Sequence, residues 1–153
     1  MPGTFSQIYI QIVFAVKNRD GLISPKWEKE LYKYITGIVQ NKNQKMIAIN
    51  GTQDHIHILI GMKPSCCLSD LVREIKKASN SFIKEQKFTS FKFEWQEGFG
   101  AFSYNQSALT NLIEYINNQK IHHKKKNFKE EYLGFLRKFD VEYKDEYLFD
   151  WID

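Results

Sequence analysis

The sequence predicts an α+β fold built on a four-stranded antiparallel sheet. Three observations carry this: a long period-two stretch near the start, two amphipathic segments of helical period, and a βαββαβ order of elements followed by further helices. Residues 5–16 alternate. Ile8, Ile10, Ile12, Phe14 and Val16 share one face, and Gln7, Tyr9 and Gln11 take the other, which marks a strand with one buried face. Ser24-Pro25 opens a helix as N-cap and first-turn proline, and Trp27, Leu31, Tyr34, Ile35 and Ile38 follow at helical spacing. Residues 46–49 and 55–60 read as strands joined by a glycine-containing hairpin, Asn50-Gly51-Thr52-Gln53. A second helix starts near Ser69, with Leu71, Val72, Ile75, Ser79 and Phe82 inward and Arg73, Lys76, Lys77, Asn80 and Lys84 outward. Phe91, Phe93 and Trp95 alternate as a fourth strand that ends in the loop Gly98-Phe99-Gly100. Ser107 caps a third helix with Leu109, Leu112, Ile113 and Ile116 buried, and a shorter segment carries Phe128, Tyr132, Phe135, Leu136 and Phe139. This is the split βαβ, ferredoxin-like order, which places helices on one face of the sheet, with an additional C-terminal helix beyond.

Length and composition bound the rest. The chain has 153 residues, enough for a single domain over 1–153. Hydrophobic residues make up 42% and charged residues 26%, as in soluble globular proteins rather than disordered ones. No apolar run approaches the roughly 20 residues of a bilayer-spanning helix, so no membrane partner is expected. The opening Met-Pro-Gly-Thr-Phe-Ser lacks a signal-peptide pattern, and the expected location is cytoplasmic. Cys66 and Cys67 are adjacent and read as reduced and structural. The net charge of +4 hides an asymmetry. The acidic C-terminal tail, 140–153, carries six acids against one lysine, whereas the rest holds 21 lysines and arginines against 12 carboxylates. A basic body favours a polyanionic partner, although a merely solvated surface has the same composition.

Three groups of residues can carry chemistry. His55 and His57 lie two apart on a predicted strand, so both point the same way with Leu59, while Ile56, Ile58 and Ile60 face the core. Two imidazoles side by side can bind one metal ion, or can simply be partly exposed strand residues. Asp54 points away from them on a regular strand and reads as a turn cap. Tyr115 and Gln119 are four apart on one helical face, with His122 next along it, either lining a cleft or facing solvent. The run Lys120-Ile121-His122-His123-Lys124-Lys125-Lys126 suits the C-terminal end of a helix dipole and equally suits phosphates.

Taken in order, these motifs resemble one family. Asp54-His55-Ile56-His57 is similar to the histidine, hydrophobic residue, histidine signature of the HUH single-tyrosine transposases of the IS-two-hundred-like insertion sequences, whose relatives include the REP-associated tyrosine transposases. Tyr115-Ile116-Asn117-Asn118-Gln119 resembles the family's nucleophile helix, and the strings WQEGFGAFSYNQS, NQKIHHKKKNFKEEY and EYLFDW look like its surroundings. The resemblance runs from about Phe5 to Trp151 and lacks no catalytic position. It implies that Tyr115 attacks a phosphodiester of single-stranded DNA, giving a 5′-phosphotyrosine and a free 3′-hydroxyl, and that a second 3′-hydroxyl then rejoins the strand. It implies His55, His57 and Gln119 as ligands of Mg2+ or Mn2+, although two imidazoles suit softer ions better than magnesium. With neutral histidines, none of these three ligands brings negative charge. It implies a DNA hairpin as substrate and a homodimer joined at sheet edges, with active sites completed between subunits. A flexible Ser103-Tyr104-Asn105-Gln106 tether would permit that exchange.

Lys17, Arg19, Arg73, Lys76, Lys77 and Asn80, with Lys120 and His122, are the expected DNA contacts. Two other readings compete: a domesticated relative acting on chromosomal repeat hairpins, and a non-catalytic nucleic-acid-binding module that stacks bases on Phe91, Phe93 and Trp95. A hydrolytic metalloenzyme with His122 or His123 as a further ligand is a fourth.

Overall fold

The computed structural model describes residues 3–17 and 22–151. Strands β1 (Tyr9–Ala15), β2 (Lys45–Gly51), β3 (His55–Gly61) and β4 (Gly100–Tyr104) form one antiparallel sheet in the order β2-β3-β1-β4. Helices α1 (Glu28–Asn41) and α2 (Leu68–Glu85) fall between them, and α3 (Leu109–Asn117), α4 (Gln119–His122) and α5 (Phe128–Lys138) follow. Arg19, an expected DNA contact, lies outside the described residues.

The register fixes two faces. Ile12 stands opposite Ile58 and Phe14 opposite Ile56. This fully buried layer meets α2, whose Lys76 ammonium sits 5.2 Å above the Phe14 ring. Helices α1 and α2 touch each other through the stacked rings of Tyr34 and Phe82. The opposite face pairs Val13 with His57 and Ala15 with His55, and it also carries Gln11 and Leu59. Leu59 packs with Ala48 and with Leu112 and Ile116 of α3. The histidine face is therefore roofed by the C-terminal helices, and the sheet is the middle of three layers.

The fourth strand lies later than its alternation predicts. Only Trp95 of the predicted segment forms a bridge, an isolated one to Val16 just beyond β1, and the continuous ladder is Gly100–Tyr104. Phe93 and Trp95 alternate because they wedge into the core, where the Trp95 indole donates to Ser79 Oγ at 3.0 Å. The true strand was inconspicuous because Ala101 and Ser103 are small and exposed, leaving Phe102 as its one large buried side chain. Ser103 and Tyr104 belong to this strand, so the expected tether is shorter than predicted. Asn105, not Ser107, makes the cap: its Oδ1 accepts from Ala108 N at 3.2 Å and leads a 3-10 turn into α3. Likewise Cys67, not Ser69, is the N-cap of α2.

The acidic tail is no loose appendage. The Gln96 carboxamide exchanges two hydrogen bonds with Asp150, donating to its carbonyl at 2.7 Å and accepting from its N–H at 2.6 Å. Phe149, which this holds in place, packs on Phe128 and Tyr132 of α5. Two glycines permit the close approaches that set the site. A Cβ on Gly100 would stand 2.7 Å from the Tyr132 hydroxyl, so α5 can lie directly on β4. A Cβ on Gly51 would collide with the His55 carbonyl oxygen and with Ile56 Cα at 2.8 Å. Because that obstacle is backbone, Gly51→Ala is expected to lower stability by about 1–3 kcal/mol, the usual cost of overpacking. Urea unfolding of the variant beside the parent measures it, and an unchanged midpoint would contradict the packing described.

Candidate metal and nucleophile site

The site forms where β3, α3, α4 and α5 meet. His55 and His57 point from β3 to the roofed face, and both are fully buried. Their Nδ1 atoms are engaged from behind. His57 Nδ1 lies 2.8 Å from Gln11 Oε1, and the Gln11 amide in turn donates to the Tyr104 hydroxyl at 2.9 Å. His55 Nδ1 lies 2.7 Å from Asp54 Oδ1, which also accepts from the Thr52 hydroxyl at 2.8 Å. Asp54 thus does more than cap the turn: it orients His55, because the turn brings its side chain back to the ring. Acceptors at both Nδ1 atoms place the ring protons there and aim both Nε2 atoms at the same point.

That point holds Glu131, a residue that sequence reasoning missed. Its Oε1 lies 3.2 Å from His55 Nε2, 3.0 Å from His57 Nε2 and 3.0 Å from His123 Nε2. Its Oε2 accepts the Tyr115 hydroxyl and, at 3.1 Å, the Gln119 amide. Gln119 Oε1 is 3.3 Å from His55 Nε2. The predicted set of His55, His57, Tyr115 and Gln119 is thus brought together within one chain, with a carboxylate at its centre. A signal for Glu131 was present: it sits three residues after Phe128 and four before Phe135, a carboxylate on an otherwise apolar helical stripe.

Local structure explains the convergence. The Asn50 side chain, level with His57 in the ladder, donates to the carbonyls of Ile116 and Asn117, both at 3.0 Å, and so caps the end of α3. The chain breaks at Asn118 and restarts as α4, which carries Gln119 inward. The helix expected to run through Gln119 is therefore two helices. Asn127 caps α5, its side chain accepting from Glu130 N at 2.9 Å, and Glu131 falls in the first turn, where the helix dipole favours a carboxylate. Phe128 stacks on the His55 ring at 3.9 Å, and His122 stacks on the Tyr115 ring at 4.5 Å.

The electrostatics follow. Burial would raise the Glu131 pKa, but His57, His123 and His55 around it hold it well below the ordinary range. Burial alone would depress His55, yet Asp54 and Glu131 outweigh it and push its pKa up to about 9. His57 is shifted down, by burial first, against the pull of Glu131. The Tyr115 phenol is pushed far above its usual value by burial and by Glu131.

The donor set suits a divalent ion. The ligand atoms of His55, His57 and Glu131 all lie within 4.8 Å of one another. With its proton on Nδ1, neutral His57 turns an Nε2 lone pair toward a carboxylate oxygen 3.0 Å away, a contact that a cation between them would satisfy. Adjacent ligands of an octahedral ion at 2.0–2.1 Å stand about 3 Å apart, close to the spacing found here. Glu131 also brings the negative charge that the expected ligand set of two histidines and a glutamine lacked.

The other expected contacts divide. Lys76 is tied into the fold, donating to the carbonyls of Gln96 at 2.8 Å and Gly98 at 2.6 Å, and burial lowers its pKa to about 8. Lys120 pairs with Glu28 at 3.0 Å and braces Asn50 and Gly51 at 3.3 Å. Arg73 pairs with Asp70 and Lys17 with Glu94 at the surface. Lys77 and Asn80 line an open cavity of about 690 Å³ beside α2 with them. His122 lies against Tyr115 rather than on an outer face.

Fold and site together define a split-βαβ protein whose buried histidine pair, carboxylate and tyrosine form one cluster. The family model described as "Transposase IS200 like" matches residues 4–119, and the chain belongs to that family. A search of curated proteins returned no match. Among solved structures, the chain is similar to a protein from Deinococcus radiodurans R1 provisionally described as a transposase, at 18% identity and a TM-score of 0.61, covering 78% of this chain and 95% of that one. It is also similar to a REP-associated tyrosine transposase bound to a REP hairpin, at 15% identity and a TM-score of 0.61, covering 100% of this chain and 93% of that one. At these identities the likeness establishes the fold. No helix among the described residues is long and apolar enough to cross a membrane.

Two predictions follow from the cluster. Glu131→Gln keeps the shape but removes the charge, so Mn2+ affinity measured by calorimetry is expected to fall at least about tenfold. Unchanged affinity would remove Glu131 from the ligand set. In metal-free protein, the His55 imidazole is pushed from its ordinary 6.5 up to about 9 by Asp54 and Glu131, against the effect of burial. Its stabilising contribution is therefore full below pH 6.5 and is lost as pH rises toward 9. The stability difference between the parent and His55→Gln, from urea unfolding in chelator, should shrink across that window, and a widening difference would reverse the assigned shift.

Proposed function

We propose that this protein cleaves and rejoins single-stranded DNA at insertion-sequence ends with Tyr115 as nucleophile. The observation that carries this reading is the Tyr115 hydroxyl held on Glu131, whose other oxygen meets the His55–His57 pair, in a chain of the transposase family. Glu131 Oε2 already accepts the Tyr115 hydroxyl, so the phenol proton has a route off as the bond to phosphorus forms. In the proposed step Tyr115 Oη bonds to phosphorus, its proton passes to Glu131 Oε2, and the bond to the 3′-oxygen breaks. The departing 3′-oxygen takes a proton from water. The 5′-phosphate stays on Tyr115. Attack by a second 3′-hydroxyl reverses these events and returns the proton to Tyr115, so no nucleotide cofactor is consumed.

His55 Nε2, His57 Nε2 and Glu131 Oε1, with Gln119 Oε1 beside them, would hold Mg2+ or Mn2+. Such an ion supplies Lewis-acid polarisation of the scissile phosphate and offsets charge at the leaving oxygen. Gln11 and Asp54 fix the two rings, and Phe128 shields His55 from water. Because one chain carries every member of the cluster, this reading needs no tyrosine from a second subunit. An edge-joined dimer would pair two complete sites. A DNA hairpin is the proposed recognition element, supported by the basic body of the chain and by the hairpin-bound neighbour of the same fold.

Incubating labelled single-stranded hairpin DNA with protein and Mn2+, then running a denaturing gel, tests the reading. A covalent protein–DNA band is expected with the parent and none with Tyr115→Phe, while hairpin affinity stays within about twofold, since one hydroxyl contributes little to a phosphate-dominated interface. A band of equal intensity from Tyr115→Phe would place the nucleophile elsewhere.

A further inference from the structure

Beside the cluster lies a cavity of about 480 Å³ whose walls include Tyr115 and Glu131 but neither histidine of the pair nor Gln119. Its rim carries Lys126 and Lys138, both exposed. Neither has a carboxylate within ion-pair distance among the described residues, in contrast to Lys17, Lys92 and Lys120. Lys138 Nζ instead sits 5.6 Å over the Tyr104 ring, which forms part of the wall. Asn111 stands at the same opening, exposed, with a carboxamide able to donate and accept at once.

We propose that this cavity binds one nucleotide of the DNA strand, the one on the 3′ side of the scissile phosphate that remains esterified to Tyr115 through its 5′-phosphate. The inference rests on the strand-transfer reading above and adds a binding site to it. Three features support the assignment. Size is the first: 480 Å³ falls among small-ligand cavities of roughly 300–1,000 Å³, suited to a single nucleotide and too small for a duplex turn. Charge is the second: two unpaired ammonium groups flank an opening whose one carboxylate, Glu131, is already held by histidines, a phenol and an amide. An anion therefore meets attraction at the rim without an unscreened acid inside. Position is the third. In an in-line displacement the leaving 3′-oxygen departs on the side opposite the attacking phenol. The cavity adjoins the phenol and not the imidazoles, so it suits the nucleotide that stays rather than the one that leaves. The Tyr104 and Phe135 rings offer apolar wall for sugar and base, and Asn111 can read a base edge. Tyr104 is also linked through Gln11 to His57, so an occupant of the cavity touches the support of the histidine pair.

The test uses the full chain and needs no knowledge of the natural target. The four 2′-deoxynucleoside 5′-monophosphates, and the corresponding 3′-monophosphates, are titrated by NMR into the parent, into Tyr115→Phe, and into the double variant Lys126→Ala/Lys138→Ala. The 5′-monophosphates are expected to shift the Asn111 side-chain resonances in the parent and in Tyr115→Phe. They should bind the double variant about tenfold more weakly, and the 3′-monophosphates should bind the parent no better than they bind that variant. Equal affinity of the double variant and the parent for 5′-monophosphates, or equal binding of both phosphate isomers, overturns the proposal. The covalent assay separates the two readings. Nucleotide binding without any adduct would sink strand transfer and, with it, the assignment of the bound nucleotide to the tyrosine-linked strand, leaving only a site for 5′-mononucleotides. An adduct formed by the double variant at the parent's half-saturating DNA concentration would sink the cavity assignment and leave strand transfer standing.

Discussion

One carboxylate organises the histidine face of this molecule. Glu131 is buried among three imidazoles, a phenol and an amide, which reach it from β3, from α3, and from α4 and its C-terminal cap. A lone carboxylate in such a place would be expensive, since desolvation of an ion costs several kcal/mol. Here the surrounding donors offset that cost, and no buried side-chain polar atom among the described residues lacks a partner. The same arrangement concentrates titratable groups whose values are pulled away from their ordinary range, Glu131 and His57 downward and His55 and Tyr115 upward.

The architecture around Glu131 keeps it there. Gly100 lets α5 lie on β4, Phe149 packs on that helix from the tail, and Phe128 seals the His55 ring from solvent. Asn50 ends α3 so that Gln119 turns inward, and the Lys120 ammonium braces the same corner. Lys76 and Lys120, both expected as DNA contacts, also brace the fold, on the carbonyls of Gln96 and Gly98 and on Glu28. Lys126 and Lys138, which drew less attention, have no carboxylate partner among the described residues and line the cavity beside the phenol.

Much of this was legible in one dimension, for identifiable reasons. Alternation sorted β1 and β3 into faces correctly, because a strand's side-chain period is two whatever covers it. The His55–His57 spacing and the Tyr115–Gln119 spacing survived folding, although the helix between them broke, since a single non-helical residue at Asn118 still returns Gln119 to the same side. The fourth strand was misplaced because burial and strand pairing are different causes of alternation. Phe93 and Trp95 alternate through core packing, whereas Gly100–Tyr104 pairs through backbone groups that carry no side-chain signature.

The sequence by itself determined the element order, the two faces of the sheet, and which imidazoles and phenol were available for chemistry. These depend on local periodicity, which a linear chain already contains. Only the tertiary structure decided that Glu131 joins them, that Asp54 and Gln11 set the ring protons, and that the phenol reaches the imidazoles of its own chain. The His57 contacts join residues 46 and 74 positions apart, to Gln11 and to Glu131, and no local pattern encodes a distance that exists only after β1, β3 and α5 have packed, while the adjacent Asp54 meets His55 only because the turn folds its side chain back.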